Sequence, residues 1–167
     1  METEIQAETD DPYEVGEIVK AKAYNEHNDV LPNEELPEEN DGSWYKPCAD
    51  RRHELLIRHL MDTYELERVY DLGAGDLRLS AALAPDYEVV AYESIEMLAE
   101  YAYEAHGQPD IELRKEDYIG MWDAMKDRPA VFAAIGITNK LTDRPRNGIA
   151  VGGVDELTVY YSDGVSV

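Results

Sequence analysis

Apolar residues recur along the chain with two periods. After Asp50, residues Leu55, Leu56, His59, Leu60 and Tyr64 fall at helical spacing, which predicts a helix that buries this face, with Asp50 as its N-cap. The run Glu67–Leu72 stops at a glycine and reads as a strand, and residues 77–84 follow as a helix ended by Pro85. Residues 88–93 read as a second strand. Ser94 then caps a helix whose buried stripe is Ile95, Leu98, Ala99 and Ala102, and Gly107 ends it. Residues 111–116 read as a third strand, 121–125 as a short helix, and 130–137 as a fourth strand, apolar on both faces as a central parallel strand is. Residues 148–152, 156–162 and 164–167 supply further strands, and Asp163-Gly164 is a hairpin signal between the last two. No internal repeat is visible.

Strands alternating with helices predict an α/β fold with right-handed crossovers. Strands near 68–72, 88–93, 110–115 and 130–137 are expected to form a parallel sheet, with a C-terminal antiparallel hairpin at one edge. Only about ten residues separate the fourth strand from Gly148, fewer than a parallel crossover needs. The fold is therefore expected to be shortened there, its crossover helix missing or reduced to a turn. Ligands of such sheets bind at the carboxyl ends of the strands.

Composition divides the chain in two. Residues 1–42 hold 14 acids and two bases, Lys20 and Lys22, and form an acidic N-terminal extension, partly disordered or docked. Within it, residues 14–25 can form a short strand or helix that docks on the remainder. Residues 43–167 form the α/β domain, itself acidic, with 23 acids and 13 bases. The whole chain of 167 residues carries −22. Tyr (12) outnumbers Phe (1), and six of the 15 bases are Lys. A halophilic source, archaeal or viral, is the first account of this surface, since salt screens it and keeps the protein dissolved. An acidic arm on an ordinary domain and a DNA mimic are the others. No run of about 18 apolar residues is present, which excludes a helical membrane span. The first residues have neither the basic nor the apolar region of a signal peptide, and the expected location is cytoplasmic, or the host cytoplasm or virion if the source is viral. The single cysteine, Cys48, leaves no internal disulfide and no cysteine-based zinc site.

The stretch Asp71-Leu72-Gly73-Ala74-Gly75-Asp76-Leu77-Arg78 ends the first strand and opens a helix. Gly73 and Gly75 can take backbone angles other residues avoid and let a ligand approach the chain. Arg78 stands where a dinucleotide fingerprint has its last glycine, and no Gly-Lys-[Ser/Thr] follows, so neither phosphate-binding pattern is met. Asp71 and Asp76 bracket the turn and would repel a pyrophosphate. They suit a ligand with a cationic end and no phosphate, as S-adenosyl-L-methionine is.

The turn resembles motif I of class I S-adenosylmethionine-dependent methyltransferases, which have a Rossmann-like fold. The resemblance implies that Gly73, Gly75, Asp71 and Asp76 lie at the cofactor. It places Glu93, at the end of the second strand, on the ribose hydroxyls, with Ser94 beside it. It places Asp117, followed by Tyr118, on the adenine amino group. Trp44-Tyr45-Lys46-Pro47 before a helix, followed by the glycine turn, is similar to small ATP synthase c-subunit lysine methyltransferase-like proteins, which implies that Tyr45 and Pro47 line the cofactor's rim. Leu77 stands at the third motif glycine, where its side chain is expected to crowd the cofactor.

The implied function is methyl transfer, and the acidic rim favours a protein lysine or a small amine as acceptor. Nucleic acid is the less favoured partner, and no membrane partner is expected. No motif for the amino groups of DNA bases follows the fourth strand. Thr138 and Asn139 occupy that place and are the substrate-side candidates. No catalytic base is assigned. The alternative is a catalytically inactive methyltransferase-fold module with a structural or binding role, as in a halophilic virus. His27, His53, His59 and His106 show no metal spacing, and His59 is expected to pack in the core.

Overall fold

The computed structural model describes residues 9–25, 49–135, 148–153 and 158–161. In chain order the elements are α1 (Pro12–Asn25), α2 (Arg51–Thr63), β1 (Arg68–Leu72), α3 (Arg78–Leu83), β2 (Glu88–Tyr92), α4 (Glu96–Ala105), β3 (Glu112–Arg114), a 3-10 turn (Ile119–Met121), α5 (Trp122–Met125), β4 (Ala130–Ala134), β5 (Gly148–Gly152) and β6 (Thr158–Tyr161). The strands form one sheet in the order β3-β2-β1-β4-β5-β6. The first four are mutually parallel, and β1 pairs with both β2 and β4. The chain therefore winds outward from β1 in one direction through β2 and β3, then returns to β4 on the other side. The place where that order reverses is the carboxyl edge between β1 and β4, where open α/β sheets receive ligands.

Strand alternation sends side chains to two faces. Val69, Val89, Val131, Ala133, Ile149 and Val151 join Ile57, Leu60 and Met61 of α2 and Leu79 and Leu83 of α3 in one core. Tyr70, Leu72, Val90, Tyr92 and Phe132 face the other way. There Tyr70 stacks on Phe132 at 5.1 Å between ring centres, and Trp122 of α5 meets Phe132 edge-on at 5.2 Å. Among the described residues, Tyr118, Trp122 and Met125 pack against this second face.

The α/β fold and its mostly parallel sheet match the expectation, but four details differ. The strand at Gly148–Gly152 is antiparallel to β4, Ala130 facing Gly152 and Ala134 facing Gly148. No crossover helix is therefore required, and the short link that looked like a deletion is long enough to reverse the chain. The antiparallel pair at this end is β5 with β6, whereas the hairpin expected at Asp163-Gly164 lies outside the described residues.

The second difference is the phase of α2. Its buried residues are His53, Glu54, Ile57, Leu60 and Met61, while Leu55 is 58% exposed. His59, expected in the core, is exposed, and His53 takes that place. Asp50 is the N-cap as expected, and a capping box joins it to His53, whose Nδ1 accepts the Asp50 N–H at 2.9 Å. Third, Ser94 makes no cap: the residue before α4 is Ile95, with no side-chain cap bond, and Ser94 is exposed. Leu98, Ala99 and Ala102 are buried as expected. Fourth, β3 is only three residues long.

The expected break between residues 42 and 43 lies outside the described residues, but part of the acidic extension is ordered and docked. Asp11 Oδ1 accepts the Tyr13 N–H at 3.0 Å, and Pro12 occupies the first helical position, where its missing N–H costs nothing. The helix α1 that follows buries Val15 and Val19 beside Leu77, Ala91, Leu98 and Ala102. Tyr13 Oη donates to Glu54 on α2 at 2.8 Å. Glu54 also accepts from Arg51 and Arg58, so its buried charge is balanced.

Candidate functional site

The carboxyl edge gathers the ends of β1, β2 and β3. After Leu72 the chain turns through Gly73 (φ +72°) and Gly75 (φ +59°), in the left-handed region that glycine enters without steric cost. A Cβ placed on either glycine would meet nothing within 4 Å, so both present an open side. The N–H groups of Gly73, Ala74, Gly75, Leu77 and Arg78 are engaged. Gly73 and Ala74 both donate to the Tyr92 carbonyl, at 2.9 and 2.8 Å, Leu77 donates to the Ala74 carbonyl, and Arg78 donates to Asp76 Oδ1. Gly75 donates to Glu93 Oε1 at 2.8 Å. The turn is therefore not a cradle of backbone donors for phosphate oxygens.

Glu93 is the hinge of this arrangement. One carboxylate oxygen takes the Gly75 N–H and the other takes the Ile95 N–H at 2.9 Å. The side chain thus ties the end of β2 to the turn after β1 and also takes the place Ser94 was expected to have at α4. Burial raises its pKa, the two N–H groups oppose that, and the nearby Asp76 and Asp117 add to it. Asp117, after β3, is exposed, and its Oδ1 accepts the Ile119 N–H at 2.9 Å.

Asp71 and Asp76 are placed differently from the expectation of two carboxylates facing a ligand. Asp71 points under α3, where Ser80 Oγ donates to it at 2.7 Å. Its burial, with Asp76 and Glu93 nearby, pushes its pKa up to about 7. Asp76 is gripped by Arg78, Nε on Oδ1 and Nη2 on Oδ2, each at 2.8 Å. The Asp76 carbonyl accepts from His106 Nε2 at 2.8 Å, which fixes the tautomer of that ring. These two acids support the turn from behind.

Leu77 also corrects an expectation. It sits at φ +63°, the conformation a third glycine would take easily, and is fully buried. Its side chain packs with α1 and α4 rather than in the cleft. Tyr118 packs on the aromatic face, edge-on to Trp122 at 6.5 Å. Tyr45, Pro47, Thr138 and Asn139 lie outside the described residues. The structure therefore brings together Gly73, Gly75, Glu93 and Asp117, with Ser94 exposed beside them. Sequence reasoning missed Arg78, Ser80 and His106 as supports. Arg78 was visible in the motif, but only as the residue that broke a dinucleotide pattern.

Among the described residues no cluster of His, Cys, Asp or Glu could hold a metal ion, and no helix is long and apolar enough to cross a membrane. No family model matches the chain, and no curated protein matches it. Several solved structures are similar in layout. The O-methyltransferase TomG from Streptomyces achromogenes, solved in complex with SAM, is 22% identical with a TM-score of 0.41, over 70% of this chain and 48% of that one. A SAM-dependent O-methyltransferase from Thermotoga maritima is 16% identical with a TM-score of 0.43, over 72% and 64%. The N-terminal domain of EvdMO1 with SAH bound is 15% identical with a TM-score of 0.37, over 86% and 82%. The chain spans about half the length of the first solved chains it matches. A likeness of this size assigns neither ligand nor reaction to this chain.

Proposed function

We propose that this chain is an S-adenosylmethionine-dependent methyltransferase of the class I type, with its cofactor at the carboxyl edge of β1, β2 and β3. The observation that carries the reading is the meeting of an open-sided Gly73–Gly75 turn with the Glu93 carboxylate, which Gly75 itself holds at 2.8 Å. The residues fit this ligand. Each Glu93 oxygen takes one N–H and keeps a lone pair for a ribose hydroxyl. Asp117 is exposed and can accept from an adenine amino group. The engaged N–H groups of the turn disfavour a phosphate-bearing ligand.

Bound there, the cofactor supplies an electrophilic methyl carbon on sulfur. The protein's part is to align and to exclude water. Glu93 and Asp117 fix the nucleoside end, the glycines let it lie against the chain, and Ser80, Arg78 and His106 hold the turn. Tyr45 and Pro47 would line the rim, and Thr138 and Asn139 would orient the acceptor. A protein lysine or small amine is the favoured acceptor, because the acidic chain attracts cations, and it agrees with the similarity to c-subunit lysine methyltransferase-like proteins. The acidic surface also suits a protein that works in high salt, where screening confines the attraction for a cationic acceptor to close range. Leu77 packs with α1 and α4, and β5 runs antiparallel to β4, so the catalytic reading needs neither a third motif glycine nor a crossover helix.

The test is calorimetric titration with S-adenosylmethionine at low and at molar salt, followed by transfer of labelled methyl to lysine peptides and small amines. Binding in at least one salt condition is expected. A folded protein that binds in neither ends the reading and leaves the structural module.

A further inference from the structure

We propose that α1, acting through Leu77 and Arg78, is a positioning element of the glycine turn, so that the ligand edge holds its geometry only while this helix is docked. The inference rests in part on the cofactor reading above, but its first observations do not. Leu77 is a leucine at φ +63°, in the left-handed region where a Cβ crowds the following carbonyl oxygen. Such a conformation persists when the surroundings over-determine it. Here the surroundings are Val15 and Val19 of α1, together with Ala91, Leu98 and Ala102. Without α1 the side chain loses Val15 and Val19 from its apolar cover, and the turn loses a support for its positive φ.

A second contact acts at the next residue. Arg78 is 7% exposed and holds both oxygens of Asp76, while its remaining nitrogen donates to Glu17 of α1 at 2.7 Å. Asp76 lies one residue from Gly75, whose N–H is the one that Glu93 holds. The chain of contacts runs from Glu17 through Arg78 and Asp76 to the turn and its carboxylate. The approach is close: a Cβ on Gly16 would come within 2.6 Å of Arg78 Nε, 2.8 Å of Arg78 Cβ and 2.9 Å of Asp76 Oδ1. Only a glycine lets α1 lie this near. The docking is also local. A cavity of about 360 Å³ remains near the start of the helix, lined by Pro12, Val15, Ala81 and His106 among others. Val15, Val19, Glu17 and the Tyr13–Glu54 bond are among the contacts that hold the helix. Because coupling is reciprocal, a ligand that fixes the turn also tightens α1.

The experiment is hydrogen exchange on the full chain, native and Gly16→Ala. Alanine is the better helix former, so α1 is not weakened in itself. Its Cβ opposes docking. Exchange across residues 73–78 of the ligand-free protein is expected to accelerate roughly five- to hundredfold, with the β4 amides unchanged. S-adenosylhomocysteine affinity is expected to fall by a similar factor. Undocked α1 with residues 73–78 as protected as in the native chain overturns the proposal, as does an α1 and turn both unchanged. If Gly16→Ala loses β4 protection, Glu17→Lys, which sets two cations against each other at Arg78, decides by the same readout. A native chain that binds no S-adenosylhomocysteine defeats the cofactor reading alone, because the exchange comparison needs no ligand.

Discussion

Gly73 and Glu93 illustrate how one residue's surroundings set what its replacement does. Gly73 has φ +72° and open space where a Cβ would point. Gly73→Val puts a branched chain into that space and into a conformation it avoids. Calorimetry is expected to show no S-adenosylmethionine binding while circular dichroism keeps the sheet signal. Glu93→Ala removes the carboxylate that two backbone N–H groups share. Binding is expected to weaken by roughly 1.5–3 kcal/mol, the range for hydrogen bonds to a charged group. Unchanged affinity would show that the ligand lies elsewhere. Asp71 gives a pH prediction. Its pKa rises from 3.8 to about 7 on folding because burial penalises the charged form. Between those values the folded chain keeps a proton that the unfolded chain has lost, so this residue's contribution to stability falls as pH rises from about 4 to 7. Asp71→Asn keeps an acceptor for Ser80 and has no charge to bury. The melting temperature of the variant minus that of the native chain is expected to grow across this interval and to level off above it. A difference constant with pH would refute the assignment.

At the scale of the element, α2 and α1 show where periodicity is decisive and where it is ambiguous. The α2 segment carries Leu55, Leu56, Ile57, Leu60 and Met61, enough apolar residues for two overlapping stripes. Periodicity finds the helix but cannot choose which stripe meets the sheet. The structure buries Ile57 and leaves Leu55 exposed. Ile57→Ala is therefore expected to cost about 2–5 kcal/mol, and Leu55→Ala to stay within about 0.5 kcal/mol, by urea unfolding. Equal costs would refute this phase. For α1 the sequence left a short strand or a helix open over residues 14–25, and the structure decides for a helix that starts at Pro12, with Asp11 accepting the Tyr13 N–H. That the helix docks on Leu77 could not be read, because nothing in either segment names the other.

Across the whole molecule the net charge of −22 sets the electrostatics. Ion pairs such as Arg68–Glu88 and Lys115–Glu100 lie at the surface, where each contributes little. Repulsion among the remaining carboxylates opposes the compact state, and salt screens it. The melting temperature is expected to rise from low salt to molar sodium chloride. A melting temperature that falls or stays constant would show that self-repulsion is not what limits this fold.

The order of elements from α2 through β4, the helix ends at Asp50 and Gly107, and the glycine turn were legible in the sequence, because each follows from local chemistry: periodicity, caps and positive φ. Glu93 near the turn was expected from the family resemblance, and its bond to Gly75 follows because parallel strands that succeed one another through a helix bring their carboxyl ends to one edge. The antiparallel direction of β5 was not, since a link of this length permits reversal and only pairing with β4 decides it. The inward turn of Asp71 and Asp76 was not legible either, because it depends on Ser80 and Arg78 reaching them in three dimensions. Leu77 is the clearest case. The sequence shows a leucine where glycine is usual, and only the helix packed over it turns that departure into a contact that holds the turn.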